Sequence, residues 1–420
     1  MDFRALPSGR VTLRNLKTPA CLLVQDGDLI AVDLTLDGGL ITDGPEGRVV
    51  DMGGAIILPT FTDMHTHLDK GHIWARAPNP DGTFPGALAT VGADRMANWS
   101  AEDVRARMDF ALRTAYAHGT SAIRTHLDSL PPQDAISFPV FRELRAEWAG
   151  RIALQGSCLV AIDNVGTDTF FPNTARIVAE SGGVLGTVTY PVPNLRDHLL
   201  TFFDIASQHG LQTDMHVDET LDPSVDTLRT IAEIVLETGF DAPLTVGHCC
   251  SLSAQDEAEA MRTLDLVARA GINVVSLPMC NMYLQDRHAG RTPRMRGVTL
   301  VHEMRARGIN VSFASDNTRD PFYAYGDLDM IEVMREATRI AHLDHSATDW
   351  PRAFLTNPAK ACGFDLPSLA PGAPADLVIC RARSWTELFA RPQSDRIVIR
   401  GGQQIDRTLP DFSELDPLMS

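Results

Sequence analysis

The feature that most constrains this chain is an alternation along its middle. Eight short runs rich in apolar and β-branched residues recur there, at 55–58, 121–125, 152–159, 184–190, 212–215, 244–246, 272–277 and 309–314. Such runs read as strands. Successive runs are spaced by roughly thirty residues, the room each strand–helix unit takes when ~250 residues are shared among eight. Helical patterns fill the gaps. Ser100 precedes Glu102 and Asp103 as an N-cap with an acidic first turn. Val104, Met108, Ala111, Leu112 and Ala115 then line one face, and Gly119 stands where a C′ glycine ends a helix. Strands alternating with helices predict a parallel sheet, and eight units predict a closed barrel. The first gap is the long one and leaves an elaborated loop over 69–99.

The two ends have another texture. Strand-like runs at 21–24, 29–34, 39–41 and 49–51 are separated by turns such as Asp26-Gly27-Asp28 and Asp37-Gly38-Gly39. The tail repeats the pattern at 375–380 and 396–400, with Gly401-Gly402 as a turn. The expected fold is α/β: a (β/α)8 TIM barrel over 57–369, with a small β-sandwich domain formed by both termini, 1–56 plus 370–420. The 420-residue length fits one large unit and one small one.

With 37 Lys+Arg against 54 Asp+Glu, the formal net charge is −17, which argues against a nucleic-acid or anionic-membrane partner. Seven cysteines in so long a chain make no disulfide framework and read as buried thiols. The start has no apolar signal region, and no stretch approaches the ~20 apolar residues of a membrane span. A cytoplasmic location is expected.

The chemistry gathers at the ends of the strand runs. His65-Thr66-His67 follows the first, and residues two apart on a strand face the same way. His216 closes the fifth run, His248 the sixth and Asp316 the eighth. Barrel active sites are built at these C-terminal strand ends. Imidazoles with one carboxylate suit a divalent ion, Zn²⁺ or Fe²⁺, which would lower the pKa of a bound water to about 7. Asp316 can touch such an ion and take the water's proton. Glu219, three residues beyond His216, lies where the chain turns over the site and can move a proton to a ring nitrogen or leaving group.

These residues resemble the amidohydrolase superfamily, and within it cytosine deaminase. The likeness runs from Pro59-Thr60-Phe61 into His65-Thr66-His67-Leu68-Asp69, then Arg124-Thr125-His126-Leu127-Asp128 and Leu154-Gln155. It continues through His216-Val217-Asp218-Glu219, His248, Asn281-Met282-Tyr283-Leu284-Gln285, Asp316 and Asp320-Pro321-Phe322-Tyr323. The resemblance implies that His65, His67, His216 and Asp316 hold a single iron or zinc ion. It implies that His248 bonds the attacking water, that Glu219 shuttles the proton, and that Gln155 pairs with the amide edge of the ring. Two-metal relatives carry a bridging lysine on the fourth strand, and none stands near that run here. Departures are Lys70, where cytosine deaminases have a small polar residue, and Asn317, where they have a second acid. His67–Lys70 and Ser315–Asp320 are instead similar to N-isopropylammelide isopropylaminohydrolase.

The expected activity is hydrolytic removal of an amine from cytosine or a related aminated pyrimidine or triazine. Lys70, Asn317 and Phe322 join Gln155 as candidate substrate-binding residues: Lys70 can meet a carbonyl or anionic group, and Phe322 can stack on a planar ring. The partner is a small N-heterocycle, and the superfamily likeness implies a homo-oligomer. Two other readings stand beside this one: cyclic amide hydrolysis on the same metal site, and a non-catalytic binding protein on a degenerate barrel.

Overall fold

In the computed structural model, which describes residues 2–167, 169–345 and 349–419, eight strands carry the middle of the chain. They are β1 (Phe61–Thr66), β2 (Thr120–Asp128), β3 (Ala153–Leu159), β4 (Leu185–Thr189), β5 (Thr213–Val217), β6 (Leu244–His248), β7 (Asn273–Ser276) and β8 (Val311–Phe313). β1 to β3 form one sheet and β4 to β8 another, each in chain order, and every pair is parallel. Parallel bridges Ser157↔Val184 and Ala161↔Val188 join the sheets on one side, and Thr66↔Asp316 joins them on the other. Helices cross between successive strands, giving a TIM-barrel-type α/β fold.

The crossover from β1 to β2 ends in the helix Ala101–His118, as its capping signals predict. The Ser100 hydroxyl accepts from Asp103 N at 3.2 Å, and Gly119 closes the helix at φ +98°. A Cβ at Gly119 would also lie 2.5 Å from Val378 Cγ2, so close packing excludes a side chain there as firmly as the backbone conformation does. The long gap after β1 contains a further helix, Phe84–Asn98.

One boundary differs from the sequence reading. The run 55–58 is no barrel strand. Ile56–Pro59 pairs antiparallel with Leu377–Cys380, and β1 begins two residues later. Thr60 N donates to Asp376 O, whereas Phe61 N donates to Gly119 O. The chain therefore changes partners between adjacent residues. Ile56–Pro59 is buried throughout, and a strand buried on both faces reads as a continuous apolar run. β1 turns Asp63 and His65 inward and has no such signature. The run 21–24 also differs: Ala20–Leu23 is a single 3-10 turn, and the strand precedes it at Val11–Pro19.

Strands from both ends join in one eight-stranded sheet. Its middle alternates between two cores. Ile56, Leu58, Val378, Cys380 and Val398 pack into the large core shared with the barrel helices. Ile57, Leu377, Ile379, Ile397 and Ile399 pack into a smaller core with Leu13, Leu16 and Leu36. Burying each such side chain contributes about 1.5–3 kcal/mol, so this sheet is bonded to the barrel by apolar packing as well as by the backbone crossing at Thr60. All seven cysteines are buried and free. Among the described residues no helix is long and apolar enough to cross a membrane.

Candidate active site

Inward-facing side chains on the parallel strands form layers, because residues two apart on a strand share a face. In the lower layer Arg124 of β2 donates to Gln155 of β3 at 2.7 Å and to Asp214 of β5 at 2.7 Å. Burial pushes Asp214 up to about 6, against the pull of the Arg124 charge. One step up each strand, the next layer is made of His65, His126 and His216. This layer faces the C-terminal mouth.

There the structure brings four of the expected ligands together. His65 Nε2 and His67 Nε2 each lie 3.2 Å from His216 Nε2. Asp316 Oδ1 lies 3.5 Å from His65 Nε2 and 3.2 Å from His67 Nε2. All four residues are buried. Burial holds the three imidazoles well below their ordinary pKa, and therefore neutral, and raises the Asp316 carboxyl. Lone pairs thus converge with no N–H or O–H donor for either Asp316 oxygen, although the Cys280 thiol lies alongside. Such a cluster is costly unless a cation occupies it. Adjacent ligands held at ~2.0–2.1 Å by one ion sit ~3–3.4 Å apart, close to the four separations of 3.2–3.5 Å found around this group. The donor set fits one divalent metal.

His126 backs this group. A His65 ring that turns Nε2 to a cation carries its proton on Nδ1, and that nitrogen is 3.1 Å from His126 Nε2. His126 comes within ligand reach of His65 and His216, but its Nε2 is engaged by His65 Nδ1, so it orients a ligand instead of adding one.

His248 and Asp316 both take left-handed backbone conformations, φ +70° and +65°, in which a non-glycine residue carries ~1–3 kcal/mol of strain. β6 ends at His248, and Asp316 lies three residues beyond the end of β8. His248 Nε2 is buried without a protein partner; its Nδ1 lies 2.9 Å from Asn281 Nδ2. Burial lowers the His248 imidazole to about 3. Glu219 lies beside it, Oε1 3.4 Å from His248 Nδ1 and 3.1 Å from Asn281 Nδ2. Burial, then the Asp316 charge, raises the Glu219 carboxyl well above the usual range. A carboxyl held near neutrality of charge is suited to giving and taking a proton. Asp218 plays a different part. Its carboxylate caps the helix Thr227–Thr238, accepting from Thr227 N and Leu228 N, each at 3.1 Å.

The residues expected to bind substrate divide. Lys70 is buried at the mouth, its Nζ 4.4 Å from the centroid of the Phe322 ring. Phe322 in turn meets Phe84 edge-on at 5.3 Å. Asn317 stands beside Asp316, but its amide is committed: Nδ2 donates to Asp320 Oδ2 at 2.7 Å, and Oδ1 faces the Cys280 thiol. Gln155 is not brought to the mouth. It lies in the lower layer, where Oε1 takes the Arg124 bond and Nε2 lies 3.5 Å from Cys362 O. Its strand register, one layer short of His126 and His216, is the physical reason. Sequence reasoning assigned nothing to Asn281 or Cys280, uncharged residues on the short helix Pro278–Leu284 after β7; only their place in the run after a strand end marked them.

Comparisons with known proteins follow the same lines. A model of the Amidohydrolase family matches residues 160–406. A protein named pterin deaminase, from Rhizobium rhizogenes, is 53% identical over 100% of this chain and 99% of its own. Among solved structures, 5-methylcytosine deaminase from Klebsiella pneumoniae, liganded with 5-fluorocytosine, superposes with a TM-score of 0.79 at 25% identity, covering 96% of this chain and 98% of that one. N-isopropylammelide isopropylaminohydrolase from Burkholderia multivorans gives 0.72 at 25% identity, covering 94% and 98%.

Proposed function

Because the chain belongs to the amidohydrolase family, we propose that it is a metal-dependent aminohydrolase acting on the 2-amino-4-oxo ring of a pterin. The observation that carries the reaction type is the convergence of His65 and His67 on His216 and Asp316, with separations of 3.2–3.5 Å, and Glu219 near by, against His248. The ring is inferred from the relative that is 53% identical along the whole chain, in place of the cytosine suggested by the sequence motifs alone.

In this reading His65, His67, His216 and Asp316 hold one Fe²⁺ or Zn²⁺. When bound, such an ion lowers the pKa of water to about 7 and supplies hydroxide at neutral pH. Glu219 takes the proton of the attacking water and delivers it to the ring nitrogen next to the amino-bearing carbon. His248 directs its free ring nitrogen at the water, and Asp316 holds the water's approach. The hydroxyl proton of the tetrahedral carbon passes by way of Glu219 or Asp316 to the amino group, the C–N bond breaks, ammonia leaves, and the ring keeps a carbonyl where it had an amine: one water is consumed and one ammonia released. Lys70, the cation over Phe322, meets the ring oxygen, and Phe322 forms the wall against which the ring lies. Asn317 contributes through Asp320 and the shape of that wall.

The same reading takes β1 to β8 as one closed barrel, supported by the bridges at both seams. It divides the chain into a barrel, 61–369, and a terminal domain, 1–60 with 370–420, the boundary expected at 57 moving to the change of partner at Thr60. We read the strand Val11–Pro19, which pairs with Arg48–Asp51 along its first half and reaches Ile56 with its second, as the bend that folds the terminal sheet into a sandwich.

The test is ammonia release from pterin, cytosine, 5-methylcytosine and an N-alkylated aminotriazine by iron- and zinc-loaded protein. Fastest turnover of pterin is expected. Turnover of cytosine without pterin would overturn the ring assignment. Ring opening without free ammonia would replace deamination by cyclic amide hydrolysis.

A further inference from the structure

Asn281 is buried on the helix Pro278–Leu284, and its amide nitrogen serves two residues at once. Nδ2 is 2.9 Å from His248 Nδ1 and 3.1 Å from Glu219 Oε1. Just past the end of that helix, Gln285 Nε2 donates to the main-chain oxygen of Glu219 at 3.1 Å. One short segment therefore grips Glu219 by its side chain and its backbone, and His248 by one ring nitrogen.

We propose that Asn281 is a positioning residue that fixes the tautomer of His248, keeping its Nδ1 bare and its proton on Nε2. The inference rests on the deaminase reading only for Glu219. A side-chain amide can meet these two partners with either end. With its oxygen toward them, His248 would carry its proton on Nδ1, and Glu219 would have to be protonated whenever the contact exists. A carboxyl that gives and takes a proton in each turnover would face a repelling acceptor half of the time. The NH₂ group, with two hydrogens and no lone pair to offer, can bond Glu219 Oε1 and His248 Nδ1 together, two atoms 3.4 Å apart whose repulsion it offsets, and leaves Nδ1 as acceptor whether Glu219 is charged or neutral. The neutral ring then holds its proton on Nε2, the nitrogen that is buried with no protein partner. His248 consequently enters the site as a donor. It can bond an oxygen there, and it does not compete with Glu219 for the water's proton.

The experiment is ¹⁵N NMR of histidine-labelled, full-length, zinc-loaded protein, with the His248 signals assigned by their loss in a His248→Asn sample. Protonated Nε2 and bare Nδ1 are expected. In Asn281→Asp, a carboxylate at this position draws the proton to Nδ1, so the pattern reverses. In that variant kcat falls by about 10²–10⁴-fold, the range for a wrongly placed general-acid/base proton, while KM stays within about threefold and zinc content is unchanged. A variant that merely loosened the fold would lower zinc content and raise KM together. Asn281→Ala, which removes the amide without adding charge, should give mixed tautomers, and it decides the question if the aspartate variant does not fold. A wild-type His248 protonated on Nδ1, or a variant spectrum unchanged from wild type, overturns the proposal. These spectra are read without substrate, so they stand even if no ring on the panel is deaminated.

Discussion

Glu219→Gln separates proton transfer from metal binding. The side chain lies outside the group of four ligands and touches His248 and Asn281. The amide is nearly isosteric with the carboxyl, and its oxygen can keep the bond from Asn281 Nδ2. Burial and the Asp316 charge already hold this carboxyl toward its neutral form, so the substitution removes no well-solvated charge from the interior. Melting should therefore stay within about 1 °C of wild type, the shift that a loss of about 1 kcal/mol would produce in a chain of 420 residues. The amide has no proton to exchange. General acid–base transfer is worth about 10²–10⁴-fold, so kcat for ammonia release should fall by that factor, equivalent to about 2.7–5.4 kcal/mol at ~1.36 kcal/mol per decade. Metal content, measured on the same samples by plasma mass spectrometry, should remain that of wild type. A kcat within about threefold of wild type would remove Glu219 from the proton path. Loss of the metal would place it among the ligands instead, which its 3.1 Å bond to Asn281 argues against.

Two further outcomes follow from the same geometry. His216→Ala removes the nitrogen that lies 3.2 Å from both His65 and His67, so dialysed protein should retain only a trace of metal where wild type retains about one ion per chain; full retention would mean that the ion sits elsewhere. His72 is buried with neither ring nitrogen bonded, and burial holds it at about 3. The folded state thus refuses a proton that the unfolded chain accepts below about 6.5. This destabilises the fold as pH falls from about 6.5 toward 3, so His72→Leu should raise the urea midpoint more at pH 5 than at pH 8, and equal shifts would refute the assignment.

Much of the candidate site was legible in the sequence because its expected ligands stand at or just beyond strand ends, and strand ends on a parallel barrel converge. His65, His216 and Asp316 could be placed by that rule without any contact being known. What failed did so for identifiable reasons. β1 escaped notice because its inward residues Asp63 and His65 are polar, while the neighbouring Ile56–Pro59, apolar on both faces, took its place in the pattern. Gln155 stands as a ring-binding candidate through the resemblance alone; which layer a strand residue occupies depends on register with its neighbours, and Gln155 pairs with Arg124, one layer below His126. Asn281 carries neither charge nor metal-binding chemistry, and its importance lies wholly in two distances that no spacing reveals.

The strand Ile56–Pro59 also dictates when this protein can become functional. Its partner Leu377–Cys380 is made about three hundred residues later, a wait of roughly 15–60 s at ~5–20 residues per second. Through that interval the apolar edge beside β1 has nothing to pair with, and the strand that carries His65 toward His67 lacks its anchor. A nascent chain is therefore exposed to aggregation and to chaperones until its tail emerges. A chain that stops short of Leu377 lacks the partner of Ile56–Pro59, and with it the pairing next to the start of β1.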